Sequence, residues 1–136
     1  MRKVLVDTGF LVALFDPADS LAAPAANYLK AHKHPLATTT AVVVEACFFL
    51  SQAGKADLLA WIRRGAVSVL DVPVAAYAQL EMTLRKYSDQ EIDFADAALI
   101  WLAGAMATSR ILTVDRTDFD VFRLKGTKRF EMIDWY

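Results

Sequence analysis

An α/β domain with a central, largely parallel sheet flanked by helices is what this sequence predicts, and three observations carry the prediction. Short apolar runs rich in β-branched residues recur along the chain, helix-patterned stretches separate them, and 136 residues suit one domain better than two. The expectation is therefore a single domain over residues 1–136.

The first run, Val-Leu-Val at residues 4–6, is stopped by Asp7 and Thr8 and reads as a buried strand followed by a helix cap. A helix over 8–15 follows. Asp19 or Ser20 caps a second helix toward His32, with Pro24 tolerable only in its first turn. Residues 34–38 return as a strand, and Thr38 to Thr40 offer caps for a strongly apolar helix over 41–52 that Gly54 ends. A helix over 55–64 is closed by Gly65, and 67–72 alternates and branches like a strand. Pro73 starts the next helix, which runs through Tyr87. The polar stretch 88–91 separates it from a long helix over 93–108. A strand over 111–114, a short helix or turn over 117–124 and a last strand over 130–133 complete the chain.

Composition narrows the functional classes. The apolar stretches 41–50 and 97–107 are well short of the roughly 20 residues that span a bilayer, and Asp7 interrupts the N-terminal apolar run too early for a signal peptide. The single cysteine, Cys47, excludes an internal disulfide and suits a reducing compartment, so a cytoplasmic protein with no membrane partner is expected. The hydrophobic fraction of 56% exceeds what so small an interior needs, which predicts an apolar surface covered by a partner or by a second copy in a homodimer. Net charge is −1, yet six of the fifteen Lys and Arg (Arg110, Arg116, Arg123, Lys125, Lys128, Arg129) fall in the last 27 residues. They are either a local basic rim around an acidic centre or ordinary solvated charges.

The acids carry the chemistry. In parallel α/β sheets ligands bind beyond the carboxyl ends of the strands, where Asp7 and Asp115 both fall. Taken alone, Asp7 is equally well a helix cap. Glu45 interrupts an apolar helix expected to be buried, where an unpartnered carboxylate costs several kcal/mol. It must face a cation, a buried Arg or Lys, or solvent in a groove, and the first reading is preferred. Asp93 and Asp96 share a helix face; Asp93 suits the helix N-terminus, while Asp96, followed at once by small apolar residues, points to a polar cavity. Four carboxylates from separate segments at one sheet edge need bound cations, and an all-oxygen ligand set suits Mg²⁺ or Mn²⁺ in phosphodiester cleavage.

The segments Val6-Asp7-Thr8 with the helix after it, Thr40 to Glu45, Asp96-Ala97-Ala98-Leu99 and Thr113-Val114-Asp115 with Phe119 resemble the PIN-domain family, and within it the VapC-type toxins, nearly end to end. The resemblance implies a PIN-like three-layer fold and a metal-dependent ribonuclease that is the toxin of a toxin–antitoxin pair and is inhibited by a cognate antitoxin. It further implies that Asp7, Glu45, Asp96 and Asp115 are catalytic, metal-binding acids, with Thr8, Asp93, Thr113 and Asp118 in support. Rival readings are a PIN-like RNA-processing domain, a catalytically silent binding module and a Mg²⁺-dependent phosphatase. Asp7-Thr8-Gly9 also matches the Asp-Thr-Gly of aspartic proteases, but that fold is nearly all β and this chain reads as mostly helical.

Overall fold

A computed structural model describes residues 2–136. Five strands form one sheet: β1 (Val4–Val6), β2 (Leu36–Thr39), β3 (Val67–Leu70), β4 (Arg110–Leu112) and β5 (Glu131–Met132), in the order β3-β2-β1-β4-β5 with every pair parallel. The expected parallel sheet is thus parallel throughout. Among the described residues seven helices accompany it: α1 (Thr8–Phe15), α2 (Ala22–Ala31), α3 (Thr40–Phe48), α4 (Gln52–Arg63), α5 (Tyr77–Lys86), α6 (Phe94–Ala105) and α7 (Arg116–Val121).

β1 is buried over its whole length, as a central parallel strand must be, and its Val-Leu-Val run needs no alternation for that reason. From β1 the chain steps outward through β2 to β3, then crosses back to β4 on the other side of β1. With right-handed crossovers this reversal puts α5 and α6 on the face opposite α1. α1 packs on α2, α3 and α4, while α6 packs on α5 and lies over β2. Phe10, Leu58, Leu99 and Phe119 are fully buried in the core between them. The point where the sheet order reverses, between β1 and β4, is where a fold of this kind opens its crevice.

Several boundaries differ from expectation, each for a local reason. The apolar helix ends at Phe48 rather than near residue 52, because the Ser51 hydroxyl accepts from the Gly54 amide at 3.1 Å and starts α4. Gly54 therefore lies in the first turn of α4 and closes nothing. A Cβ there would come within 2.9 Å of the Phe15 carbonyl oxygen, so glycine lets the end of α1 approach. Asp19 does not cap α2; its carboxylate accepts from the Leu21 amide just ahead of that helix. Residues 74–76 form a 3₁₀ turn before α5 begins.

The largest correction concerns α3, which is not buried on every side. Val44, Phe48 and Phe49 are 50%, 80% and 65% exposed, so one face of this apolar helix meets solvent.

Candidate active site

Asp7 leaves the end of β1 and caps α1, with one carboxylate oxygen accepting from the Thr8 amide at 2.7 Å. The other accepts from the Thr113 hydroxyl at 2.8 Å. The same hydroxyl accepts from the Asp115 amide at 2.9 Å. Thr113, buried just beyond β4, thus ties the two strand ends together across the sheet reversal, and the Trp135 indole holds its carbonyl at 3.2 Å. Both readings of Asp7, cap and site acid, are compatible with this geometry.

Removing that hydroxyl tests the bridge. Thr113→Val keeps the shape and leaves a buried carboxylate oxygen and an amide without partners, so denaturant unfolding is expected to lose about 1–3 kcal/mol. An unchanged midpoint and slope would refute the bridge.

Asp93 and Asp96 form a reciprocal cap at the start of α6. The Asp96 amide donates to Asp93 at 3.1 Å, and the Asp93 amide donates to Asp96 at 3.2 Å. Asp96 therefore has a structural task at the start of α6. Glu45, half-buried on α3, lies beside Asp93 and the Thr8 hydroxyl. That hydroxyl is itself buried and meets no partner at hydrogen-bonding geometry, although it is near enough to Glu45 to draw its pKa down.

These carboxylates feel one another's charge. Burial is the leading cause in each case, and neighbouring acids add to it. Asp7 is raised to about 6 by burial, with the Thr113 and Thr8 hydrogen bonds opposing and the Asp115 and Asp93 charges adding. Glu45 is raised to about 7 by burial, then by Asp93. Asp96 is raised to about 8 by burial, with Asp93 and Asp7 among the further causes. Asp115 is raised by burial and by Asp118 beside it. Asp93 perturbs all four, a more central position than the sequence reading gave it.

Glu45 and Asp93 line a cleft of about 590 Å³ whose apolar side carries Val44, Phe48, Tyr77 and Phe94. Asp71, directly after β3, lines it too and accepts a hydrogen bond from Thr40. The sequence reading passed over Asp71, although an acid directly after a strand was the signal that picked out Asp7.

Oxygen donors, raised carboxylate pKa values and an orphaned buried hydroxyl fit a hard divalent cation in their chemistry. As the side chains stand, no group of three or more His, Cys, Asp or Glu among the described residues is arranged to hold a metal ion, and Asp93 and Asp96 are engaged with each other's backbone.

Comparison with known proteins agrees with this architecture. The PIN domain profile matches residues 4–123. Ribonuclease VapC26 of Mycobacterium tuberculosis (strain ATCC 25618 / H37Rv) is 32% identical over 134 residues, covering 96% of this chain and 99% of the relative. The crystal structure of Mycobacterium tuberculosis VapC20, described as a sarcin-ricin loop cleaving toxin, superposes with a TM-score of 0.72 over 85% of this chain and 94% of that one; at 20% identity it speaks to the fold. The sheet order, the strand-end acids and the near-complete match to a VapC ribonuclease lead to one conclusion: this chain belongs to the PIN-domain family, among its VapC-type ribonucleases.

Proposed function

We propose that the chain acts as a single-domain, Mg²⁺- or Mn²⁺-dependent endoribonuclease and is the toxin of a toxin–antitoxin pair, with Asp7, Glu45, Asp96 and Asp115 as the metal-binding and catalytic acids. The observation that carries this reading is the grouping of these carboxylates, each from a different segment, at the carboxyl edge of the sheet beside the β1–β4 reversal. Bound among them, a divalent cation would supply Lewis acidity toward a phosphate oxygen and toward water.

The chain's own residues account for the rest. Thr113 fixes Asp7 relative to the Asp115 backbone, and the reciprocal cap fixes Asp96 relative to Asp93. The buried Thr8 hydroxyl lies beside Glu45 and favours its ionised form, the form a cation would need. Asp118 stands behind Asp115 as a supporting acid.

The exposed apolar side of the cleft supports a protein partner that covers the acids. We assign it to the cognate antitoxin, with a second copy of the chain packing elsewhere in a homodimer. The mass of the chain in solution, alone and co-expressed with that antitoxin, checks both. No helix of the described residues is long and apolar enough to cross a membrane.

The test of the activity is a substrate panel. Purified chain with Mg²⁺ should cut structured RNA, leave oligodeoxynucleotides and phosphomonoesters intact, and lose all cleavage in EDTA. Cleavage that persists in EDTA, or hydrolysis of phosphomonoesters alone, would overturn the assignment.

A further inference from the structure

A cavity larger than the acid cleft, about 810 Å³, opens at the other end of α6, between that helix, the end of α5 and the segment after α7. Its floor is apolar, with Ile100 and Leu124, and its rim carries Lys86, Arg123, Lys125 and Lys128; no carboxylate lines it. α6 spans about 18 Å, so its N-terminal end carries Asp93 and Asp96 while its C-terminal end borders this hollow.

A shared cavity sets these four cations apart, and within the C-terminal basic cluster pairing does so too. Of the six basic residues in the last 27 positions, Arg110, Arg116 and Arg129 each pair with an acid: Glu131, Asp134 and Asp120. Arg123, Lys125 and Lys128, joined by Lys86 from α5, form no ion pair among the described residues. Within the C-terminal basic cluster, the members without an ion pair therefore do not ring the acids but, with Lys86, line the hollow at the far end of α6. In a chain of net charge −1, that is a local excess facing one hollow.

The hollow is also held in shape. Buried Tyr87 packs on Phe122 at 5.1 Å, and its hydroxyl accepts from the Arg123 amide at 2.9 Å, which ties the segment after α7 to the end of α5. The Arg123 guanidinium donates to the carbonyls of Asp120, Val121 and Phe122, so its charge stays fixed near the mouth; the Lys86 ammonium lies over the Tyr87 ring at 5.2 Å, and Lys125 and Lys128 are exposed.

The volume lies in the range of small-molecule pockets, the apolar floor suits a flat ring and the cationic rim suits phosphate. The geometry points to an RNA exosite: a nucleotide of the substrate, remote from the scissile bond, seats its base on the apolar floor and its flanking phosphates on Lys86, Lys125 and Lys128. This rests on the ribonuclease reading and adds a second grip on the same strand. An acidic protein segment would meet the same lysines, and the test below separates it from RNA.

The test uses the intact chain and a short labelled single-stranded RNA, with affinity read by fluorescence anisotropy in EDTA over a series of salt concentrations. The triple variant Lys86→Ala, Lys125→Ala, Lys128→Ala changes only exposed side chains. It is expected to bind about tenfold more weakly and to flatten the slope of log affinity against log salt by about 2. A side chain at Gly104 would enter open space lining the hollow, so Gly104→Phe should weaken binding while leaving that slope in place. In Mg²⁺ both variants should raise KM and keep kcat, with native circular dichroism and melting as the check on folding. Unchanged affinity, slope and KM in a chain that cuts RNA would overturn the exosite alone. Tighter binding of a free nucleoside triphosphate than of RNA, or a loss confined to the antitoxin, would also overturn it. A native chain that neither binds nor cuts RNA would remove the ribonuclease reading and the exosite together.

Discussion

Asp96→Asn is expected to lower RNA cleavage by more than about 100-fold and, in the same protein, to raise the melting temperature at pH 8 in EDTA. The two effects have one origin. Loss of residues that merely orient metal ligands costs 10–100-fold, so loss of a direct ligand should cost at least the upper end. Stability moves the other way, because burial and the neighbouring Asp93 and Asp7 raise the Asp96 pKa to about 8 and make its ionised form unfavourable in the folded chain. Asparagine is neutral and its carbonyl oxygen can still accept from the Asp93 amide at the place where Asp96 now does, so the reciprocal cap of α6 survives. A carboxylate kept for folding alone would behave oppositely: its loss would lower the melting temperature and leave cleavage intact. Single-turnover cleavage on structured RNA and a thermal melt in EDTA decide between the two outcomes.

The fold was readable where the backbone rule has a residue that announces it. Gly65, with a φ of +89°, closes α4 with the Ala66 amide bonded to the Trp61 carbonyl and the Gly65 amide to the Ile62 carbonyl, and the expected end fell within one residue of the observed one. The end of α6 is built the same way, with Thr108 bonded back to Ala103 and Ala107 to Gly104, but the left-handed position is held by Ala107 at a φ of +51°. Alanine is no stop signal, so the reading ran the helix on through residue 108. Short strands were overrun for a related reason: Thr113 and Val114 look like continued strand, yet Thr113 has left the ladder to bridge Asp7 and Asp115.

The site was legible in outline because strand-end acids in a parallel sheet must gather at one edge. The burial argument for Glu45 does not hold as stated. It assumed a helix buried all round, whereas Val44 and Phe48 beside it are exposed and Glu45 sits half-buried at the edge of an open cleft. An apolar helix face reads the same whether the core or a partner covers it, and a single sequence does not distinguish them. The basic residues were likewise visible only as a cluster near the C-terminus; which of them pair and which face the hollow depends on where β5 and α7 bring Glu131 and Asp120.

The metal-free chain should lose stability as pH rises from about 5 to 8, and Mg²⁺ should restore it most at the upper end. The sign follows from the direction of the shifts. Asp7, Glu45 and Asp96 rise from 3.8, 4.5 and 3.8 to about 6, 7 and 8, so between those limits the folded chain retains protons that the unfolded chain has already released. Stability then falls with pH across the window, and below about pH 4 these groups contribute no slope because both states are protonated. For Asp7, which is 7% exposed, the shift corresponds to about 3 kcal/mol at pH 8. That is on the order of 10 °C in melting temperature for a domain of this size. A divalent cation would bind the carboxylates in their ionised forms, at the expense of the retained protons, so its stabilisation should grow with pH. Asp96→Asn should flatten both the pH slope in EDTA and the Mg²⁺ response. Melting temperatures that stay level or climb from pH 5 to 8 in EDTA would show that these acids are not a cluster of strained charges, and would take away the electrostatic basis for placing a metal among them.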